Sequence, residues 1–247
     1  MLRVKDEARW IERVIRSLQP LCERIFVMDD HSTDNTVALC EALGCEVYPS
    51  PFEGVNESRD KNWLLTKIWS AARIEIRGPE SHHFIVAVDG DEELEVGGCA
   101  KIRAACKPTV HALALPIVYL WDRPDQIRCD GIYGKFTRGS VFRMISPFHA
   151  FGNPRFRTRE SSNFHCGSIP FDLMRQVAKC DARLLHYGYM EKSDRLRKYD
   201  WYRALDGNNR IEDGYRHMVQ GDVPEVPAEW RQGIELMHAG PLELRPL

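Results

Sequence analysis

Asp89 and Asp91 stand one residue apart at the end of the apolar run His83-Phe84-Ile85-Val86-Ala87-Val88. Such a run suits a central strand buried on both faces, so both carboxylates leave it aimed at one place. Like charges this close repel, which raises a pKa or recruits a cation. A hard divalent ion with oxygen ligands relieves the repulsion and keeps positions open for phosphate oxygens. Held there, it would neutralise a diphosphate and stabilise it as a leaving group. Gly90, between the acids, lets the backbone turn sharply. A second pair, Asp29-Asp30, closes the shorter run Arg24-Ile25-Phe26-Val27-Met28. An ionised carboxylate only accepts hydrogen bonds, which suits the imide N–H of a nucleobase. The competing role for this pair is capping of the next helix, and for Asp89-Gly90-Asp91 it is a solvated acidic turn.

The elements that would carry these acids alternate. Leu2 to Val4 reads as a short strand. Glu7 to Leu18 follows as a helix with Ile11, Val14, Ile15 and Leu18 on one face. Helices are also expected over Asn35 to Leu43, Asn56 to Arg73, Gly97 to Lys107 and Asp194 to Leu205. Strands are expected over Arg24 to Met28, Cys45 to Tyr48, His83 to Val88, His111 to Trp121, Arg138 to Met144 and Arg183 to Tyr187. Pro116 implies an edge or a bulge in the strand that holds it. The order β-α-β-α-β-α-β through the first half predicts an α/β fold: a mostly parallel central sheet with helices on both faces. Ligands of such sheets bind beyond the carboxyl ends of the strands, where both acidic pairs lie. A single domain over 1–247 is expected, with a Rossmann-like nucleotide-binding half at 1–108 and an acceptor-binding half at 109–247.

Val27-Met28-Asp29-Asp30-His31-Ser32-Thr33-Asp34-Asn35-Thr36 resembles the V-D-D-G-S-T-D-x-T signature of family 2 glycosyltransferases, with His31 in the place of Gly. Val88-Asp89-Gly90-Asp91-Glu92-Glu93-Leu94 is similar to the family's D-x-D segment. Val4-Lys5-Asp6-Glu7 is similar to its V-K-N-E start, with Asp6 for Asn, and Lys61-Asn62 resembles its R-N pair. The matches cover about the first hundred residues. The resemblance implies a GT-A fold and transfer of a sugar from a nucleoside-diphosphate sugar to a hydroxyl acceptor. It implies that Asp30 contacts the base with Asp29 beside it. It places Asp89 and Asp91 at the ribose, the diphosphate and a Mn²⁺ or Mg²⁺ ion, with Lys61 among the donor contacts. Asp91 then acts directly in catalysis.

Candidates in the second half are fewer. His186 ends a strand and is expected to complete the cation's ligands, the alternative being a core or cap histidine. Arg195 and Arg197 are expected over the diphosphate, against the blander reading of a solvated basic helix face. An inverting transfer needs a base for the acceptor hydroxyl, and Glu160 and Asp172 are the candidates. The acceptor is expected to be a glycan, a lipid-linked molecule or a small molecule.

Lys plus Arg number 34 and Asp plus Glu 36, a formal charge of −2. This gives no electrostatic case for nucleic acid. The eight cysteines show no C-x-x-C spacing, and several lie in apolar runs as buried thiols do. No stretch approaches the roughly 20 apolar residues of a membrane span. A cytoplasmic location is expected, compatible with contact at a membrane surface. Two other functions compete. One is a non-catalytic nucleotide- or glycan-binding protein. The other is a sugar nucleotidyltransferase, although Lys5-Asp6-Glu7-Ala8 stands where that class carries a glycine-rich loop.

Overall fold

The computed structural model describes residues 1–72, 83–131, 133–144, 155–158, 163–164, 166–206, 213–219, 222 and 244–247. The chain divides into two compact units, Met1–Pro116 with Thr137–Leu184, and Ile117–Phe136 with Leu185–Leu247.

The first unit opens with strand β1 (Leu2–Val4), helix α1 (Ile11–Leu18) and strand β2 (Phe26–Asp29). Helix α2 (Thr36–Ala42), strand β3 (Glu46–Pro49) and helix α3 (Glu57–Ala72) follow. Strand β1 pairs with β2, and β2 with β3, all in parallel. Strand β4 (Phe84–Val86) extends this sheet on the other side of β1. The Met1 amino group donates to Val86 O at 2.9 Å, and Val88 N–H donates to Met1 O at 3.3 Å. That hydrogen-bond pair is the parallel pattern, with Met1 opposite Ala87. The order β3-β2-β1-β4 therefore sends the carboxyl ends of all four strands to one edge.

The rest of the sheet is mixed. Strand β5 (Glu92–Leu94) and helix α4 (Gly98–Ala105) lead to β6 (Ala112–Trp121), β7 (Arg123–Arg128) and β8 (Thr137–Arg143). Strand β8 runs antiparallel between β4 and β6, and β9 (Val177–Lys179) lies parallel to β6. The mostly parallel sheet expected from the alternating order thus holds for β3-β2-β1-β4, and beyond β4 the two directions mix. Strand β7 follows β6 through Asp122 alone, at φ 62°. So short a link permits only an antiparallel pair, because a parallel return needs a crossover of about a dozen residues. The bulge foreseen near Pro116 falls between Leu113 and Ala114.

Helix α1 begins at Ile11 rather than Glu7. Asp6 takes a left-handed φ of 53°, and Trp10 and Ile11 both donate to Glu7 O, so a turn fills the gap. One face of α1, Ile11, Val14, Ile15 and Leu18, is buried as its spacing required. The main core of the unit joins Met28 and Leu64 to Ile85, Phe142, Phe156 and Ile169. Gly139 stands against Ile169, whose Cδ1 lies 2.6 Å from where a Cβ would sit.

The second unit holds the distal part of β6, then β7, the end of β10 (Leu184–His186), helix α5 (Lys192–Asp206) and β11 (Leu244–Pro246). Strand β11 pairs antiparallel with β7. Helix α5 packs on a 3-10 turn at Asp213–Val219, with Tyr202 stacked on Tyr215 at 4.6 Å between ring centroids. Arg128 and Arg195 each lie over the ring of buried Trp121, at 4.5 and 4.3 Å. No described helix is long and apolar enough to cross a membrane.

Candidate functional site

Asp29, Asp30 and Asp89 all leave the same edge of the parallel strands. Only β1 separates β2 from β4, so the two acidic pairs stand two strand spacings apart, about 10 Å. Gly90 makes the close approach possible. A Cβ there would lie 2.9 Å from Glu7 Cγ and 3.0 Å from Val4 Cγ1. Its φ is not left-handed, so proximity to the end of β1, and not the sharp turn expected from sequence, calls for glycine. Gly90→Ala is expected to cost about 1–3 kcal/mol through overpacking, measured by urea unfolding. An unchanged midpoint and slope would contradict that approach.

The loops after β1 and β2 interlock. Asp6 Oδ1 accepts from Thr33 N–H at 2.7 Å and from Thr33 Oγ1 at 3.2 Å. Asp6 N–H donates to Ser32 Oγ at 2.9 Å, and Ala8 N–H to Asp34 Oδ2 at 3.0 Å. His31, where the resembled signature has Gly, adopts φ 59°, a left-handed value that histidine tolerates better than most residues. Its Nε2 lies 2.8 Å from Phe52 O.

Asp29 accepts from Ser32 N–H at 3.2 Å through Oδ2. Asp30 is 3% exposed, and its Oδ2 accepts from Arg3 at 2.6 Å. The same Arg3 donates to Asp60 at 2.9 Å, and Arg59 closes on the other oxygen of Asp60 at 2.8 Å. Asp60 is wholly buried. Among the described residues, Asp30 Oδ1 carries no hydrogen bond.

Arg138 of β8 faces the other pair. It donates to Asp89 Oδ2 at 2.8 Å through Nη1, and through Nη2 to Glu92 Oε2. Asp89 N–H also donates to Glu92 Oε2, at 3.0 Å. Asp89 keeps 47% of its side chain exposed, whereas Asp91 and Glu92 are buried. Burial pushes the Asp89 carboxyl up, but the Arg138 guanidinium and the Lys61 ammonium outweigh it and hold it below the usual range. Glu92 goes the other way. Burial lifts it to about 7, against Arg138 and with help from the charges of Asp89 and Asp91. Burial opposes the charge of Arg138, but Glu92 and Asp89 together raise its pKa further. Folded Glu92 therefore binds a proton that the unfolded chain releases above 4.5. Its contribution to stability is complete below that value and is lost as pH rises through about 7. Glu92→Gln is expected to flatten the decline of Tm across this window, followed by thermal melts at half-unit pH steps. A parent and variant with parallel profiles would contradict the buried, raised carboxyl.

Lys61 donates to Cys166 O at 2.9 Å, and Asn62 makes paired bonds of 2.9 Å with the backbone of Phe156. The pair on α3 thus ties later segments of the first unit to the acidic edge. Asp172, 48% exposed, accepts from Arg155 N–H at 3.3 Å. Glu160 lies outside the described residues. His186, Arg195 and Arg197 belong to the second unit. His186 is buried there against Tyr119 and Tyr189, with centroids 5.0 and 4.6 Å away. Arg195, 1% exposed, donates to Asp222 at 2.6 Å, to Asp122 at 2.8 Å and to the carbonyls of Tyr189 and Met190. Arg197 is exposed and bonds Asp194 at 3.3 Å.

Sequence reasoning passed over Arg3, Asp60, Glu92 and Arg138. The signal for the last two was present: three acids beside a buried strand need a counter-charge, and Arg138 opens a strand candidate.

No family model matches the chain. Over 91 residues, 36% of this chain, it is 32% identical to an uncharacterized glycosyltransferase of Rickettsia bellii. The chain is glycosyltransferase-like over that stretch. A Rickettsia felis protein of the same description is 33% identical over 91 residues. This glycosyltransferase-like chain spans about a quarter of the length of those relatives, 26% and 27%. It is also 23% identical to an uncharacterized protein of Mycobacterium bovis over 255 aligned positions, covering 95% of this chain and 58% of that protein. Among solved structures, glucosyl-3-phosphoglycerate synthase from Mycobacterium tuberculosis, in complex with Mn²⁺, uridine diphosphate and glucosyl-3-phosphoglycerate, is 20% identical. The likeness covers 48% of this chain and 42% of that one, with a TM-score of 0.34.

Proposed function

We propose that the chain transfers a sugar from a nucleoside-diphosphate sugar to a hydroxyl acceptor, with a divalent cation at Asp91 and Asp89. The observation that carries this reading is the shared strand edge. Asp29 and Asp30 leave β2, and Asp89 leaves β4, on either side of β1. A nucleotide can span that interval, base at one end and diphosphate at the other.

The donor set fits a cation of this kind. Asp89 and Asp91 offer hard oxygen ligands and repel each other. Among the described residues no group of three or more His, Cys, Asp or Glu forms a protein cage. Mg²⁺ is commonly held by one or two carboxylates together with substrate phosphates. Mn²⁺ accepts the same oxygen donors. When bound, the cation would supply charge neutralisation for the leaving diphosphate.

The chain's own residues do the rest. Asp30 presents Oδ1 as an acceptor for the base, while Arg3 fixes Oδ2. Arg3 is in turn fixed by Asp60, so the acceptor is oriented before the ligand arrives. Lys61, close enough to act on Asp89, adds positive charge where phosphate charge would collect.

A thermal-shift screen of UDP-, GDP- and dTDP-sugars, with and without Mn²⁺, tests binding. Release of the free nucleoside diphosphate tests turnover. No shift with any donor, at any Mn²⁺ concentration, would end this reading. Asp30→Asn replaces an acceptor by a group that also donates, and is expected to weaken the nucleotide by about 10- to 100-fold. The weakening should persist without metal, read by calorimetry, and an unchanged affinity would remove Asp30 from the base contact.

A further inference from the structure

We infer that Arg138 holds Asp89 away from full engagement with a cation, so that the divalent ion binds firmly only together with a diphosphate. The inference rests on the proposed cation position at Asp91.

The geometry is specific. One guanidinium nitrogen bonds Asp89 Oδ2 at 2.8 Å, and the other bonds Glu92. The Arg138 side chain is 19% exposed, so solvent screens it poorly. Its Nε–H is buried and has no hydrogen-bond partner among the described residues. An aliphatic side chain could fill the same space without stranding a donor, but it would leave Glu92 and Asp89 without their counter-charge. Packing alone therefore does not call for arginine. The strand that carries it is anchored on both sides, by β4 and by β6, with Arg138 opposite Leu115. Gly139 admits Ile169 directly behind it. The guanidinium is thus held in place, and Asp89 is the group that adapts to it.

A cation approaching Asp91 meets a neighbouring carboxylate already satisfied by a positive charge. Lys61 adds a second positive charge within range of Asp89. A divalent ion is repelled by both. A diphosphate reverses that balance, because its negative charges are attracted to Arg138, Lys61 and the ion alike. Binding of the ion and of the diphosphate is then coupled, each strengthening the other by the same factor.

The test uses Mn²⁺ alone, titrated by calorimetry into the full chain and into Arg138→Gln, with no nucleotide present. The variant is expected to bind Mn²⁺ at least tenfold more tightly, because Asp89 is released and one repelling charge is gone. Adding Asp91→Asn to the variant should abolish that gain. Circular dichroism reports folding. If Arg138→Gln does not fold, the pair Glu92→Gln/Arg138→Gln, which also removes the stranded buried acid, is compared with Glu92→Gln in the same titration. A dissociation constant unchanged or weakened by loss of Arg138 overturns the inference. A purely structural arginine would lower Tm without tightening the metal. If the metal tightens but no nucleotide sugar binds in the donor screen, the proposed function falls and the charge relation stands. If donors bind and Mn²⁺ does not tighten, the reverse holds.

Discussion

Asp91→Asn is expected to lower release of nucleoside diphosphate by about 10²- to 10³-fold, with saturating donor and Mn²⁺. Asp91 is buried beside Asp89, at the end of a strand that the core fixes through Ile85 and Ala87. Asparagine keeps the shape and one oxygen but removes the charge on which the proposed cation depends. The loss is read in turnover, with the Tm of the same variant measured beside it. Turnover within a few-fold of the parent would place the cation elsewhere. A large fall in Tm would instead make Asp91 a structural acid.

Arg138→Met carries the largest expected effect on stability. It strands Glu92, which is 1% exposed, and removes the partner of Asp89. Breaking a buried pair from one side costs about 3–5 kcal/mol, read at pH 8 by urea unfolding. The cost should shrink at pH 5, where Glu92 takes up a proton and no longer needs a counter-charge. Adding Glu92→Gln should recover a large part of the loss at pH 8. A variant equally stable at both pH values, and close to the parent, would show that the guanidinium is not what stabilises this corner.

The first third of the chain was legible because its signals are local. Strand-terminal acids and helical spacing on α1 both sit within a few residues of what they determine. The sheet beyond β4 was not legible. Pairing of β4 with β8 joins residues more than fifty positions apart, and hydrophobic alternation does not encode which distant strand a strand meets. The same distance hid Arg138, whose partners lie 49 and 46 positions away. Arg195 shows the opposite limit. Its charge on an expected helix carried the expectation of a diphosphate contact, and only the fold reveals Asp122 and Asp222 enclosing its guanidinium. The short carboxyl-terminal segments of α5 and its neighbours gave no motif to read, and His186 among tyrosines is a placement that composition alone does not foretell.

The clasp between Asp6 and Thr33, returned by the Asp6 amide to Ser32 Oγ, bears on any attempt to graft this edge from a relative. Two peptide stretches some twenty-five positions apart share their hydrogen bonds, so they constitute one exchangeable part. A chimera that imports residues 31–34 from a relative while retaining the native 5–8 would orphan polar groups on both sides. Swaps made with the two stretches together should fold where single swaps do not.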